Sequence, residues 1–392
     1  MAIINRIGDF QDELRDWRQD IHAYPELGFE EARTSDIVAE KLRVFGLEVH
    51  RGLATTGVVG TLKVGDGERA VGLRADMDAL PILEANRFAH RSRHDGKMHA
   101  CGHDGHTAML LGAARYLAET RNFDGTVHFI FQPAEEGLGG AKAMVDDGLF
   151  DRFPVQAVFG MHNRPGLPVG CFAIRSGPMM AGGALFDIRI TGRGAHGAKP
   201  ETGVDPVVAA AHITTALQTL VARNVSPHET AVLSVTQIHA GDAYNVIPEE
   251  AVLRGTARAF AKDVMGSLEA GMVRIAEGVA AALDVRVEVD FRETFVPLVN
   301  DQAATELAAD VAAEIVGEAN VERNGPRIMA SEDFSFMLEA QPGAYINIGN
   351  GEGEDGGCEV HNPSYDFNDE VLALGASFWA RLVEKRLAKD SK

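Results

Sequence analysis

The chain has 392 residues, 45% of them hydrophobic and 24% charged, which fits a globular protein with room for two domains and a large core. A formal net charge of -20 leaves nothing to neutralise a phosphate backbone, so no nucleic acid is expected as a partner. No stretch approaches the roughly 18 apolar residues of a membrane span, and the opening Met1-Ala2-Ile3-Ile4-Asn5-Arg6 leads into charged residues without an apolar signal core; no membrane partner and a cytoplasmic location are expected.

In chain order, Phe10, Leu14, Trp17 and Ile21 recur at helical spacing up to Pro25, and Ile37, Val38, Leu42 and Phe45 mark a second helix that stops at Gly46. Compact apolar runs follow at 70 to 75, 126 to 131 and 155 to 161, with a helical stretch from about residue 104 to 119 between the first two. Runs of this kind separated by helices predict a mostly parallel sheet covered on both faces. From about 183 to 294 the pattern becomes apolar-polar alternation at 186 to 190, 232 to 238 and 285 to 291, interleaved with helices near 204 to 222 and 262 to 283. Period two means half-exposed strands and a separate α+β domain. After Pro297 the helix-strand rhythm returns with an Ala-rich helix to Val316, an apolar strand at 344 to 348 and a closing helix from about 369 to 387. The expected fold is therefore α/β: residues 1–182 and 295–392 form a domain with a mostly parallel sheet and helices on both faces, interrupted by an inserted α+β domain at 183–294. There is no internal repeat, and the one biased stretch is the glycine- and acid-rich 349 to 357.

Chemistry collects after the apolar runs. Asp76 and Asp78 follow the first, Glu135 and Glu136 the second, His162 the third, and His361 lies beyond the last. In open α/β sheets ligands gather outside the carboxyl ends of the strands, so these distant segments can converge. Adjacent carboxylates repel unless a cation or proton is shared between them, which suggests one metal ligand beside one general base. Cys101-Gly102-His103-Asp104-Gly105-His106 adds a fifth segment at a helix start, with Cys101 and His103 spaced to reach one centre. Each residue also has a plainer reading: a hydrogen-bonded histidine, a small buried thiol or a cysteine nucleophile, turn aspartates closing a strand. His106 and His128 lie inside regular elements and read as structural, and Cys358 as an unligated thiol. The three cysteines, Cys101, Cys171 and Cys358, are odd in number and far apart, which suits reduced thiols.

The segments Leu73-Arg74-Ala75-Asp76-Met77-Asp78-Ala79-Leu80-Pro81, Met98-His99-Ala100-Cys101-Gly102-His103-Asp104-Gly105-His106-Thr107-Ala108, Gln132-Pro133-Ala134-Glu135-Glu136-Gly137, Gly160-Met161-His162-Asn163 and His361-Asn362-Pro363 occur in the order of a known family. With them the chain resembles the aminoacylase and hippurate hydrolase branch of the dinuclear metallopeptidases, which includes auxin-conjugate (indole-acetyl-amino-acid) hydrolases and N-acetyl-diaminopimelate deacetylases. The resemblance runs from about residue 12 to 385. It implies two divalent metal ions per subunit, with Cys101 bridging them, His103 and His162 on one, and Glu136 and His361 on the other. Glu135 would be the general base. The wider family opens this block with His-x-Asp where the chain has Asp76-Met77-Asp78; the branch shares that departure, His103 becomes the ligand, and the two aspartates are left to orient histidines. A thiolate bridge favours borderline-soft zinc, while manganese, cobalt and nickel also suit the resemblance.

The inserted domain carries Gly192-Arg193-Gly194-Ala195-His196-Gly197-Ala198-Lys199-Pro200, which resembles the family's histidine loop that reaches a neighbouring subunit's site to stabilise an oxyanion. Asn245 and Arg258 stand where the family holds a substrate carboxylate. The resemblance thus implies a dimerisation and lid role for 183–294 and a homodimer or homotetramer. Read from composition alone, His196 is equally a hairpin-turn residue and Arg258 a solvated strand charge.

The implied activity is hydrolysis of an N-acyl-L-amino acid, a small-molecule substrate, to a carboxylic acid and a free amino acid. A dipeptidase or carboxypeptidase of the same fold is the alternative within that chemistry. A metal-independent cysteine hydrolase built on Cys101 with His103 or His106 leaves Glu135, Glu136, His162 and His361 without a task. A non-catalytic binding protein of this fold is expected to lack the base, and Glu135 is present.

Overall fold

A computed structural model describes residues 1–354 and 356–389, which divide into two compact units. The first comprises Met1–Gly177, Val299–Pro326 and the chain from Asp333 onward; the second comprises Pro178–Leu298 and Arg327–Glu332. The boundaries fall a few residues outside the 183 and 294 read from alternation. Gly182, Gly183 and Ala184 already belong to a strand, but their side chains are too small to register an apolar-polar pattern. The segment 327–332 joins the second unit through non-local contacts that no local pattern carries.

The first unit is built on an eight-stranded sheet: β1 Glu48–Leu53, β2 Gly57–Val64, β3 Ala70–Asp76, β4 Gly125–Gln132, β5 Val158–Pro165, β6 Phe172–Ala173, β7 Val321–Glu322 and β8 Gly343–Gly351, in the order β1-β2-β4-β3-β5-β8-β6-β7. The central strands β4, β3, β5 and β8 run parallel, whereas β1 and β2 add antiparallel at one edge. Every residue of β3 and β8 is buried, the consequence of helices covering both faces. Arg74, Asp76 and Asn347 lie on those strands, and such groups persist in a buried sheet only when paired or liganded. The helix His103–Thr120 packs against Gln11–Ala23, Leu372–Arg386 and β3, with 14 of its 18 residues buried, among them the polar His103, Asp104, His106 and Thr107 of its first turns.

Three features depart from the sequence reading. The strands β1 and β2 escape it because β1 is mostly exposed and β2 carries two glycines. The third apolar run becomes a strand from Val158 to Pro165 rather than 155 to 161, so His162 lies within β5 and not after it. The stretch 349 to 357 begins inside β8, and Asp355 within it lies outside the described residues.

The second unit contains an antiparallel four-stranded sheet in the order Ala231–Ala240, Glu250–Ala259, Gly182–Thr191, Arg286–Phe295. Phe186, Ile188 and Ile190 point from it into a core shared with Ile213 and Leu217 of the helix Pro206–Thr219 and Leu268 and Met272 of Lys262–Leu283. The strand Glu250–Ala259 is not evident from sequence, because four of its five buried positions are Ala251, Gly255, Ala257 and Ala259, whose weak hydrophobicity blurs the alternation. Among the described residues no helix is long and apolar enough to cross a membrane.

Candidate metal centre

Five segments of the first unit meet at the carboxyl ends of the parallel strands. β3 delivers Asp76 and Asp78, the turn after β4 delivers Glu135 and Glu136, β5 carries His162, the start of the helix His103–Thr120 supplies Cys101 and His103, and the chain beyond β8 returns His361. Two of these deliveries use left-handed backbone at non-glycine residues, Ala134 with φ 55° and His361 with φ 63°. That conformation costs on the order of 1 to 3 kcal/mol and survives where surrounding bonds over-determine it. Here the Ala134 N–H donates to Glu31 Oε1 at 2.9 Å, and the His361 N–H donates to the Ala100 carbonyl at 2.7 Å. The turn at Ala134 redirects the chain as it leaves β4, immediately before the paired glutamates.

Two groups of ligand-type atoms share one sulphur. Cys101, His103 and His162 place theirs within 4.8 Å of one another, and so do Cys101, Glu136 and His361. His103, Glu135 and Glu136 form a third such set, which puts Glu135 beside the first group while Glu136 also faces His361, Oε1 to Nε2 3.3 Å. Cys101 Sγ lies 3.3 Å from His162 Nε2.

The histidine tautomers follow from their partners. His103 Nδ1 donates to the Asp78 carbonyl at 2.9 Å and faces Asp78 Oδ1 at 3.1 Å, leaving Nε2 buried with no hydrogen-bond partner. His162 Nδ1 donates to the Asn163 carbonyl at 2.6 Å, which turns its Nε2 lone pair toward the thiol. Burial and the nearby His106 hold the His162 pKa well below its ordinary value, so this ring stays neutral. His103 behaves oppositely: burial disfavours its charge, but Asp76, Asp78 and Glu136 outweigh it and push its pKa up to about 10. An imidazole surrounded by three carboxylates marks a place that calls for a cation. An unpartnered buried nitrogen, a neutral imidazole, a buried thiol and carboxylates form a donor set that fits borderline-soft divalent ions.

Asp78 links the two groups. While Oδ1 faces His103, its Oδ2 accepts the Glu136 backbone N–H at 3.0 Å. Asp76 instead bonds His106 Nδ1 at 2.6 Å and the Arg74 guanidinium at 2.7 Å, and stands 3.7 Å from His103 Nε2. Burial works against its ionisation, yet His103, Arg74 and His106 hold the carboxyl well below the usual range. His106 is saturated, because its Nε2 accepts the Asn163 N–H at 3.0 Å; it is a structural histidine, as is His128, bonded to Thr61 Oγ1 at 2.9 Å.

His196, Asn245 and Arg258 lie in the second unit. His196 and Val246 face each other in a two-stranded ribbon, and the Gly197 N–H donates to the Asn245 carbonyl at 2.7 Å, so His196 and Asn245 are neighbours on exposed backbone. Arg258 is half-buried in its strand and hydrogen-bonds Ser331.

The sequence reading passed over several residues that build the site. Glu31 holds Ala134 and accepts Thr56 Oγ1 at 2.6 Å; burial raises its pKa to about 6. The buried Arg74 joins Asp76 to Gln132 at 2.7 Å and Asp333 at 3.2 Å, and the Asp333 N–H reaches Glu135 Oε1 at 3.5 Å. Charged or amide residues inside apolar runs, such as Arg74 and Gln132, were the available signal. Glu31 and Asp333 gave none.

A family model described as peptidase family M20/M25/M40 matches residues 72–385. The chain is 44% identical to a hippurate hydrolase of Campylobacter jejuni over 99% of this chain and 100% of that one. It is 40% identical to an Arabidopsis thaliana IAA-amino acid hydrolase, ILR1-like 2, over 97% of this chain and 87% of the relative. Among solved structures, a Bacillus subtilis protein described as a dinuclear metal binding peptidase from the M20 family superposes with a TM-score of 0.85 at 34% identity, covering 97% of this chain and 99% of that chain.

Proposed function

The chain belongs to peptidase family M20/M25/M40, and we propose that it is a metal-dependent amidohydrolase that cleaves small N-acyl-L-amino acids to a carboxylic acid and a free amino acid. Hippurate-like, N-acetyl and indole-acetyl conjugates are the candidate substrates. The observation that carries this reading is the pair of ligand groups sharing Cys101, with Glu135 beside them. Two divalent ions fit that donor set: His103 and His162 would hold one, Glu136 and His361 the other, and the Cys101 thiolate both. Zinc or manganese is the proposed occupant, with cobalt or nickel as substitutes. When bound, such ions bring water close to ionisation at neutral pH and polarise the amide oxygen.

The protein's own work is proton transfer and orientation. Glu135 accepts a proton from the attacking water at a carboxylate oxygen and returns it to the leaving nitrogen, the two halves of general acid–base catalysis. Asp78 fixes the His103 tautomer and the Glu136 backbone with its two oxygens, which holds the distance between the two ligand groups. From the inserted domain, His196 would stabilise the oxyanion of a neighbouring subunit's site, and Asn245 and Arg258 would bind the substrate carboxylate. That assignment calls for a homodimer or homotetramer, and a cytoplasmic location is proposed with it.

A panel of benzoyl, acetyl and indole-acetyl amino acids assayed beside simple dipeptides tests the reading. Chelation is expected to abolish turnover of the acyl conjugates, and added zinc, manganese or cobalt to restore it. Turnover confined to dipeptides would establish the peptidase alternative. Full activity after verified metal removal would return the cysteine nucleophile.

A further inference from the structure

Asn163 follows His162 directly and uses every polar group it has within the centre. Its carbonyl accepts His162 Nδ1 at 2.6 Å, and its N–H donates to His106 Nε2 at 3.0 Å. Its side-chain Nδ2 donates to the Cys101 carbonyl at 3.2 Å and lies 2.6 Å from Tyr365 Oη, whose hydroxyl faces Asn163 Oδ1 at 3.1 Å. Asn163 is 2% exposed and Tyr365 0%. The pair also fills the space beside Gly102, which has φ 93°: a Cβ there would lie 2.6 Å from Tyr365 Oη and inside the Asn163 amide. Glycine is thus required both by the left-handed backbone and by the amide and hydroxyl packed against it.

We infer that Asn163 and Tyr365 are positioning residues that lock the Cys101 thiolate at the spot where it can serve both metal ions. The backbone of Asn163 sets one histidine ligand, and its side chain sets the cysteine ligand, so one residue fixes the geometry between them. Because Gly102 has no side chain of its own to hold the chain after Cys101, releasing the carbonyl of Cys101 frees the sulphur to move. Outer partners of metal ligands typically govern metal affinity by 10- to 100-fold, and a partner of a shared ligand acts on both ions at once.

The inference rests on the Cys101 bridge proposed above, and the test separates the two. Asn163→Ala removes only the amide, keeping the backbone bonds to His162 and His106; Tyr365→Phe removes only the hydroxyl that holds the amide. Metal-free wild type and variants are titrated with cobalt(II), reading the thiolate-to-cobalt absorption and the stoichiometry, with circular dichroism as the fold check. The expected result is an at least tenfold loss of cobalt affinity and an altered thiolate band in Asn163→Ala, and a smaller change in the same direction in Tyr365→Phe. Wild-type affinity and an unchanged band in folded Asn163→Ala would overturn the inference, and if that variant does not fold, the same result in Tyr365→Phe would overturn it. A wild type that binds cobalt without any thiolate band would instead overturn the bridge itself.

Discussion

His22 gives the fold a pH dependence whose sign and size follow from its two partners. The ring is buried, with Nδ1 2.9 Å from Asp104 Oδ2 and Nε2 3.2 Å from Glu84 Oε1. Burial and the neighbouring Arg18 oppose its charge, but the two carboxylates prevail and hold its pKa at about 9 against an ordinary 6.5. A pKa raised by folding contributes stability that is fully present below the unfolded value, near 6.5, and is lost as the pH climbs through about 9. At about 1.4 kcal/mol per pH unit, that gap corresponds to about 3 kcal/mol. His22→Gln retains one donor toward a carboxylate and loses the titration. Its deficit against wild type is therefore expected near 3 kcal/mol at about pH 6, smaller at about pH 7.5, and close to nothing at about pH 9.5. Urea unfolding of both proteins after chelation measures it, and taking the difference between them cancels the other titrating groups. A deficit of the same size at all three pH values would refute the argument, because it would trace the loss to packing rather than to a protonated ring.

Arg74→Leu leaves the buried Asp76 and Asp333 without their guanidinium and is expected to lose about 3 to 5 kcal/mol in chemical unfolding; Arg74→Lys keeps the charge but not the three-pronged contact, and is expected to lose less. Equal losses would show that the charge is not what matters. Cys101→Asp offers oxygen in place of sulphur and is expected to keep partial activity with a changed metal preference. Inactivity with every metal tried would argue against a bridging role. Mixing inactive His196→Ala subunits with inactive Glu135→Gln subunits is expected to regain activity after exchange, since a heterodimer contains one site with an intact base and an intact partner histidine. Heterodimers without turnover would remove His196 from the neighbouring site.

The parallel core was legible because β3, β4 and β8 are almost wholly buried and read as compact, mostly apolar runs, and the long helices because their stripes repeat at helical spacing. The edge strands β1 and β2 and the strand Glu250–Ala259 were not, since exposed or alanine-filled positions carry little periodic signal. At the site, Glu135, Glu136, His162 and His361 could be named because they come after the apolar runs, and Cys101 and His103 because they open a helix. What holds them could not. Glu31, Asn163 and Asp333 act through bonds to backbone groups far away in sequence, and a single chain records such contacts only when folded. The resemblance supplied which segments meet; the tautomers, the left-handed turn at Ala134 and the two oxygens of Asp78 are set only in the folded chain.

The central claim assigns the base to Glu135 and a metal ligand to Glu136, and Glu135→Gln tests it most directly when turnover and bound metal are measured on the same preparation. A base contributes about 10²- to 10⁴-fold, so turnover is expected to fall by that amount while the protein still carries metal at the wild-type stoichiometry. Glu135→Gln protein that arrives depleted of metal, or that turns over at close to the wild-type rate, would contradict the assignment.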